Sequence, residues 1–211
     1  MRPDNHWRLI LGLAAAVVLA APVPPARTAA PAVQRFVIVP AESQVTYRVA
    51  ETFINEGNRL NVAVGVTNAI RGEFVINRSD PRQSRIGVIT VDISRFQSDS
   101  TRRDNAIRGR WLESSRFPMA EFTPTEIDGL PVTFEDGKEL RLEITGRLKV
   151  RDVTRLTKFQ TALTLSGTTL TGFATTKILM TDFGFQPPSI LGILRAENEV
   201  NVEFRFIARS P

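Results

Sequence analysis

The sequence predicts an all-β protein: an antiparallel β-barrel of about eight strands with one short helix at about residues 101–113. Three observations carry this expectation. After residue 35, apolar residues alternate with polar ones through most of the chain, the period of strands with one face in a core. The runs are separated by turn dipeptides and short connections, which implies antiparallel neighbours, because parallel pairs need crossovers of about a dozen residues or more. Only Asp99 to Thr123 carries convincing helix signals. A chain of 211 residues is an ordinary length for one all-β domain, and no internal composition shift divides it.

Residues 1–30 stand apart. Arg2 and Arg8 precede the apolar run Leu9 to Ala21, then Pro22, Pro24 and Pro25 with small residues, the layout of a secretory signal. The run is shorter than the roughly 20 apolar residues a spanning helix needs, so no transmembrane span is expected in the mature chain. Cleavage is expected after Ala20, Ala30 being a poorer site because Pro31 follows it. A Pro/Ala-rich leader then runs into a single domain over 35–211.

The strands read in order. Val45, Tyr47 and Val49 make the first clear alternation, Val62, Val64 and Val66 the next, and Ile70, Phe74 and Ile76 the third. Between the first two, Asn55 to Leu60 is polar and reads as a loop. Asp80-Pro81 breaks the pattern before a strand from Ile86 to Ile93. Beyond the helix, Phe122 to Ile127 is followed by Asp128-Gly129 and Asp136-Gly137, two turn signals flanking an expected short strand around Val132 and Phe134. Leu140, Leu142, Ile144, Gly146, Leu148 and Val150 form the longest alternation, with Gly146 placed where a strand can bend. Phe159 to Leu165, a Ser166-Gly167 turn, Leu170 to Leu179, and Val200 to Ala208 complete the wall. In the loop Gln186 to Gly192, Pro187 and Pro188 stiffen a segment carrying Ile190 and Leu191, which suits a lid at a barrel mouth. The pattern alone leaves open whether the lumen is packed or holds one small ligand.

In the helical stretch, Thr101 is expected to cap the first turn and Asp104 to favour its positive end. Ile107 and Trp111 share a face at i, i+4, so Trp111 should point into the barrel and close or line one end of the cavity. Phe117, held extended by Pro118, leads into the next strand at Ala120.

The string Arg103, Asp104, Arg108, Trp111, Leu112, Phe117, Pro118, Ala120, Phe122 resembles the signature of the YceI-like family of periplasmic, lipocalin-like, polyisoprenoid-binding proteins. Gly146 to Thr154 and Asp182-Phe-Gly-Phe185 match it in the same order. The resemblance implies a hollow barrel whose partner is a polyisoprenoid or another amphiphilic lipid, held for transport, storage or sequestration. The candidate ligand-binding residues are Phe74, Phe96, Arg103, Arg108, Trp111, Phe117, Phe122, Phe183, Phe185, Ile190 and Leu191. Arg102, Arg103, Arg108 and Arg110 admit two readings: a grip on a prenyl pyrophosphate, or a surface network of Arg103 with Asp104 in which Arg108 props the helix. The chain departs from some relatives in having Gln44 and Glu51, and no histidine, in its first strands, and Arg151-Asp152 where the family often has Asn-Gly.

Composition removes several functions. The one histidine, His6, lies in the removable segment and there is no cysteine, so a Ser-His-Asp triad and His- or Cys-based metal sites are excluded from the mature chain. No catalytic residue, cofactor or metal is expected, and the protein is not expected to be an enzyme. Periplasmic or extracellular residence is expected, and without disulfides stability must come from the sheet core. The formal charge of +5 falls to +3 once the three arginines and one aspartate of residues 1–30 are removed, too mild to argue for nucleic acid. A homodimer stays open. The alternative function is a non-enzymatic envelope scaffold or stress protein acting through a protein partner at Asn55 to Leu60.

Overall fold

The alternating runs form one strongly curled antiparallel sheet, seen in a computed structural model that describes residues 32–211. The signal and leader readings over residues 1–30, with His6 and Trp7, lie outside the described residues. The strands are β1 (Val33–Ile38), β2 (Gln44–Phe53), β3 (Arg59–Thr67), β4 (Ile70–Arg71), β5 (Glu73–Asn77), β6 (Arg85–Ile86) and β7 (Ile89–Asp92). The helix α1 (Thr101–Ala106) follows, then β8 (Met119–Asp128), β9 (Glu139–Val150), β10 (Val153–Ser166), β11 (Thr169–Leu179), β12 (Ser189–Ile190), β13 (Leu194–Ala196) and β14 (Glu199–Arg209). Among the described residues this is fourteen strands, more than the eight or so expected. Eight of them have six residues or more; the surplus comes from segments of two to five residues, too short for a period of two to show.

Along the wall the order is β2-β14-β11-β10-β9-β8-β7-β4, with β3 on the free side of β2 and β1 bridging β14 to β5. The sheet curls into a half-barrel, and its two flanks meet where Val66 and Gln97 exchange backbone hydrogen bonds of 2.8 and 2.9 Å. Two local choices give the curl. Pro124 cannot donate to the ladder, and a register shift between Pro124 and Glu126 bends β8. Opposite it Gly146 is required, because a Cβ there would lie 2.6 Å from the Thr123 carbonyl oxygen and from the Phe122 ring. The β9–β10 turn is Arg151-Asp152, and Arg151, not the aspartate, takes the left-handed conformation at φ 57°.

Three segments differ from expectation. In β3 the valine face is the outer one: Val62 is 54% exposed, whereas Ala63 and Thr67 are buried. No strand forms at Val132 and Phe134; the turn there is instead pinned by Gly137 N–H on the Leu165 carbonyl at 2.7 Å and by Asp136, which accepts from Gly167 N–H at 2.9 Å. Asn55 to Leu60 is no free loop: a 3-10 turn at Ile54–Glu56 and left-handed Gly57 and Asn58 make a tight hairpin tip, and β3 already begins at Arg59.

The interior is uneven. At the end holding the 129–138 turn it is solid, with Phe36, Leu170 and Ala208 at 0% exposure and Leu165 at 2%. Phe74 stacks on Phe206 there at 4.9 Å between ring centroids. Toward the other end the packing opens.

Candidate functional site

The hollow part is a cavity of about 480 Å³, within the size range of small-molecule sites. Its wall is made by the inward residues of β2, β8–β11 and β14 at alternate positions: Val45, Tyr47, Val49, Glu51 and Phe53 from β2, and Val200, Val202, Phe204 and Phe206 from β14. It stays empty because Ala63, Ala120, Ala174 and Ala196 occupy wall positions where branched side chains would fill the space. Phe122 and Phe159 meet edge to face at 4.8 Å, and Tyr47 and Phe96 at 5.1 Å, so aromatic rings stiffen the wall.

The helix crosses this opening. Ser100, not Thr101, is its cap, accepting from Arg103 N–H at 3.3 Å. The coil then widens to a π-turn over Ile107–Trp111, with Leu112 N–H bonded to the Ile107 carbonyl at 2.8 Å, so the helix is α only through Ala106. Arg108 does prop it, donating from Nη2 to the Phe96 carbonyl at 2.9 Å. Arg151 holds its far end through the Trp111 carbonyl at 3.3 Å and an ion pair with Glu113. Ile107 and Trp111 both line the cavity, as their shared face predicts, and Trp111 is half-buried, capped by the Arg110 guanidinium at 5.5 Å.

A polar node sits beside the helix. Asp104 is buried rather than part of a surface network: it accepts from Ser98 N–H at 3.0 Å and Ser98 Oγ at 2.6 Å. Arg103 reaches instead to Glu51, which is 7% exposed, at 3.2 Å, and to Asp99. Asn61 Nδ2 donates to the same Glu51 carboxylate at 3.1 Å. Of the guanidinium groups of the pyrophosphate reading, Arg103 and Arg108 are thus already engaged, whereas Arg102, which lines the cavity, and Arg110, over the Trp111 ring, stand in no ion pair among the described residues. Burial, and next the Asp104 carboxylate, push the Tyr47 phenol up to about 12 from 10.0. A raised acid favours the neutral form in the fold, so its stabilising contribution is complete below pH 10.0 and is lost as pH rises toward about 12. Tyr47 is the only tyrosine in the sequence. Phenolate absorbance of the native protein is therefore expected to titrate near 12, falling to the ordinary value in denaturant; a native midpoint at 10.0 would show a solvated phenol.

Of the sequence-chosen residues, Phe74, Phe96, Arg103, Trp111, Phe122, Phe185 and Ile190 line the cavity. Four lie elsewhere. Phe183 is 1% exposed inside the core, Leu191 is 100% exposed, Arg108 supports the helix, and Phe117 sits between the Arg116 and Arg151 guanidiniums at 4.8 and 6.0 Å. The Gln186 to Gly192 loop is folded back as β12 against β13, and Pro188, Ile190, Ile193 and Leu194 form part of the cavity wall. Sequence reasoning missed Tyr47, Asn61 and the wall alanines as site residues. Period two placed Tyr47 on the inner face, but nothing in the sequence marked Ala63 or Ala174 as facing empty space.

Comparison with known proteins bears on this geometry. The model of the YceI-like domain family matches residues 36–208. Among solved structures, BcnA of Burkholderia cenocepacia aligns with a TM-score of 0.61 at 17% identity, over 81% of this chain and 98% of its own. A polyisoprenoid binding domain from Saccharophagus degradans, implicated in plant cell wall breakdown, aligns with a TM-score of 0.61 at 13% identity, over 85% and 99%. The Campylobacter jejuni YCEI protein reaches a TM-score of 0.52 at 14% identity, over 67% and 81%. At these identities the likeness carries the fold. No curated protein matches.

Proposed function

Since the chain belongs to the YceI-like family, matched over residues 36–208, we propose that it is a non-enzymatic lipid-binding protein that takes a polyisoprenoid or similar single-chain amphiphile into its barrel. The observation that carries this is the half-hollow interior: about 480 Å³ walled mostly by aliphatic and aromatic side chains, with Glu51, Ser100, Arg102 and Arg103 among the few polar groups of its lining. Each methylene moved from water into such a wall contributes about 0.8 kcal/mol, so a long chain binds tightly without chemistry. The head stays by Glu51, Arg102 and Arg103, and the tail runs toward Phe204 and Phe206. The polyisoprenoid binding of the Saccharophagus degradans domain supports the ligand class. Transport or storage in the periplasm or outside the cell follows from the signal-like N-terminus, and the chain's lack of cysteine is compatible with it.

Solvent extraction of protein purified from the producing cell, followed by mass spectrometry, is expected to release a prenyl or other long-chain lipid. Repeated preparations with no lipid would remove this reading. Trp111 gives a second readout. In a Trp7→Phe background its emission is expected to change saturably with a long prenyl lipid and little with a short water-soluble isoprenoid diphosphate, because the latter buries little apolar area. Trp111→Ala is expected to cost about 1–2 kcal/mol in urea unfolding, below the range of a fully packed aromatic, because the ring faces a void on one side.

A further inference from the structure

Five exposed large apolar side chains gather around the cavity mouth. There Ile54 is 44% exposed, Leu60 81%, Ile190 40%, Leu191 100% and Ile193 43%. They come from two segments that the fold joins: the β2–β3 hairpin tip and the β12–β13 hairpin. β13 pairs with β2 at Leu194 and Phe53, and Ile54 N–H donates to the Ile193 carbonyl at 2.8 Å. Both hairpin tips are held by left-handed glycines, Gly57 at φ 66° and Gly192 at φ 69°, so their side chains are presented outward on tight turns. Ile190 and Ile193 also line the cavity, so the exposed apolar surface continues without a break into the hollow interior.

We propose that this rim is a membrane-docking surface, which lays Leu60 and Leu191 into the interface of a bilayer so that lipid passes between the bilayer and the cavity without crossing water. The proposal rests on the lipid-binding reading above and names its partner, an anionic bilayer surface. Charge on the same rim fits that partner. Arg59 and Arg195 are answered by Glu56 and Glu197, and Arg103 by Glu51 and Asp99, whereas exposed Arg102 and Arg110 stand in no ion pair among the described residues. An apolar tip flanked by surplus arginine is the composition that seats a protein at the headgroup boundary of acidic lipid. A protein partner would need a broad complementary face, and two narrow tips projecting side by side do not offer one.

The chain contains no cysteine, so one introduced thiol reports one place. An environment-sensitive fluorophore on Leu191→Cys is expected to brighten and shift to the blue, saturably, with vesicles of phosphatidylglycerol and phosphatidylethanolamine in equal parts. The same label on Val132→Cys, 74% exposed at the solid end, is expected not to respond, which separates rim docking from any binding through residues 1–30. Adding Leu60→Asp to the labelled chain is expected to weaken the response at least about tenfold, with the melting temperature unchanged. No response at residue 191, an equal response at 132, or an unaltered response with Leu60→Asp overturns the proposal. So does a blue-shifted label before vesicles are added together with a dimeric mass that Leu60→Asp makes monomeric, since the rim is then covered by a second copy. Trp111 emission with lipid supplied in detergent reads cavity binding separately, so a rim that fails while the cavity fills sinks the docking alone.

Discussion

Replacing Ala174 with tryptophan is expected to weaken lipid binding by roughly a hundredfold while leaving the protein folded. Ala174 lies mid-strand on β11, paired with Thr161 and Phe204, and its methyl faces the cavity. An indole there projects into empty space rather than into packed neighbours, so the usual cost of overpacking, about 1–3 kcal/mol, is largely avoided. The ligand, by contrast, loses the volume through which its tail must run. Displacing even three or four methylenes at about 0.8 kcal/mol each lowers affinity by roughly a hundredfold. The measurement is lipid recovered per mole by mass spectrometry beside the urea midpoint. Full lipid loading in Ala174→Trp would place the ligand outside the barrel, and a collapse of stability would mean that the cavity is smaller than its walls indicate.

Arg103→Ala carries the largest stability effect expected of a polar residue. The guanidinium is 16% exposed and its Glu51 partner 7%, so removing it strands a carboxylate whose remaining contact is Asn61. Breaking one side of such a buried pair costs about 3–5 kcal/mol. Replacing both, Glu51→Gln with Arg103→Met, is expected to restore most of that loss, because no buried charge is left unanswered. Asp99, 81% exposed, loses its partner to water at little cost. A double-mutant cycle by urea unfolding decides the matter: a single-mutant loss below about 1 kcal/mol would put the pair among ordinary surface contacts.

The walls of this fold were legible because period two is a property of the chain. Val45, Tyr47 and Val49, or Leu140 to Val150, declare an inner face without reference to any neighbour. Short pieces were less legible: Ser189–Ile190, read as part of a loop, is a strand only because a partner lies beside it, and the single runs read from Ile70 to Ile76 and from Ile86 to Ile93 are each broken in two. The same limit separates the site residues that were found from those that were not. Trp111 and Phe122 belong to a motif string and line the cavity, whereas Phe183 belongs to one too and is buried elsewhere, since inward and cavity-facing are indistinguishable by alternation. The error over Asp104 has the same root. An aspartate in a first helical turn reads as a dipole partner, and only the fold brings the Ser98 backbone and hydroxyl to its carboxylate and removes water.

The contrast between the solid and hollow ends of the barrel also bears on how such a chain can change over generations. Phe36, Leu170 and Ala208 meet packed atoms on all sides, so any change of volume there is felt at once. A substitution on the hollow wall, as at Ala63, Ala174 or Ile178, alters volume against space, and its cost falls on the guest before the fold. Folding and ligand choice are thereby entrusted to different halves of one sheet. A chain built this way can take a new guest without first stabilising its scaffold, and its fold is shared with structures only 13–17% identical to it.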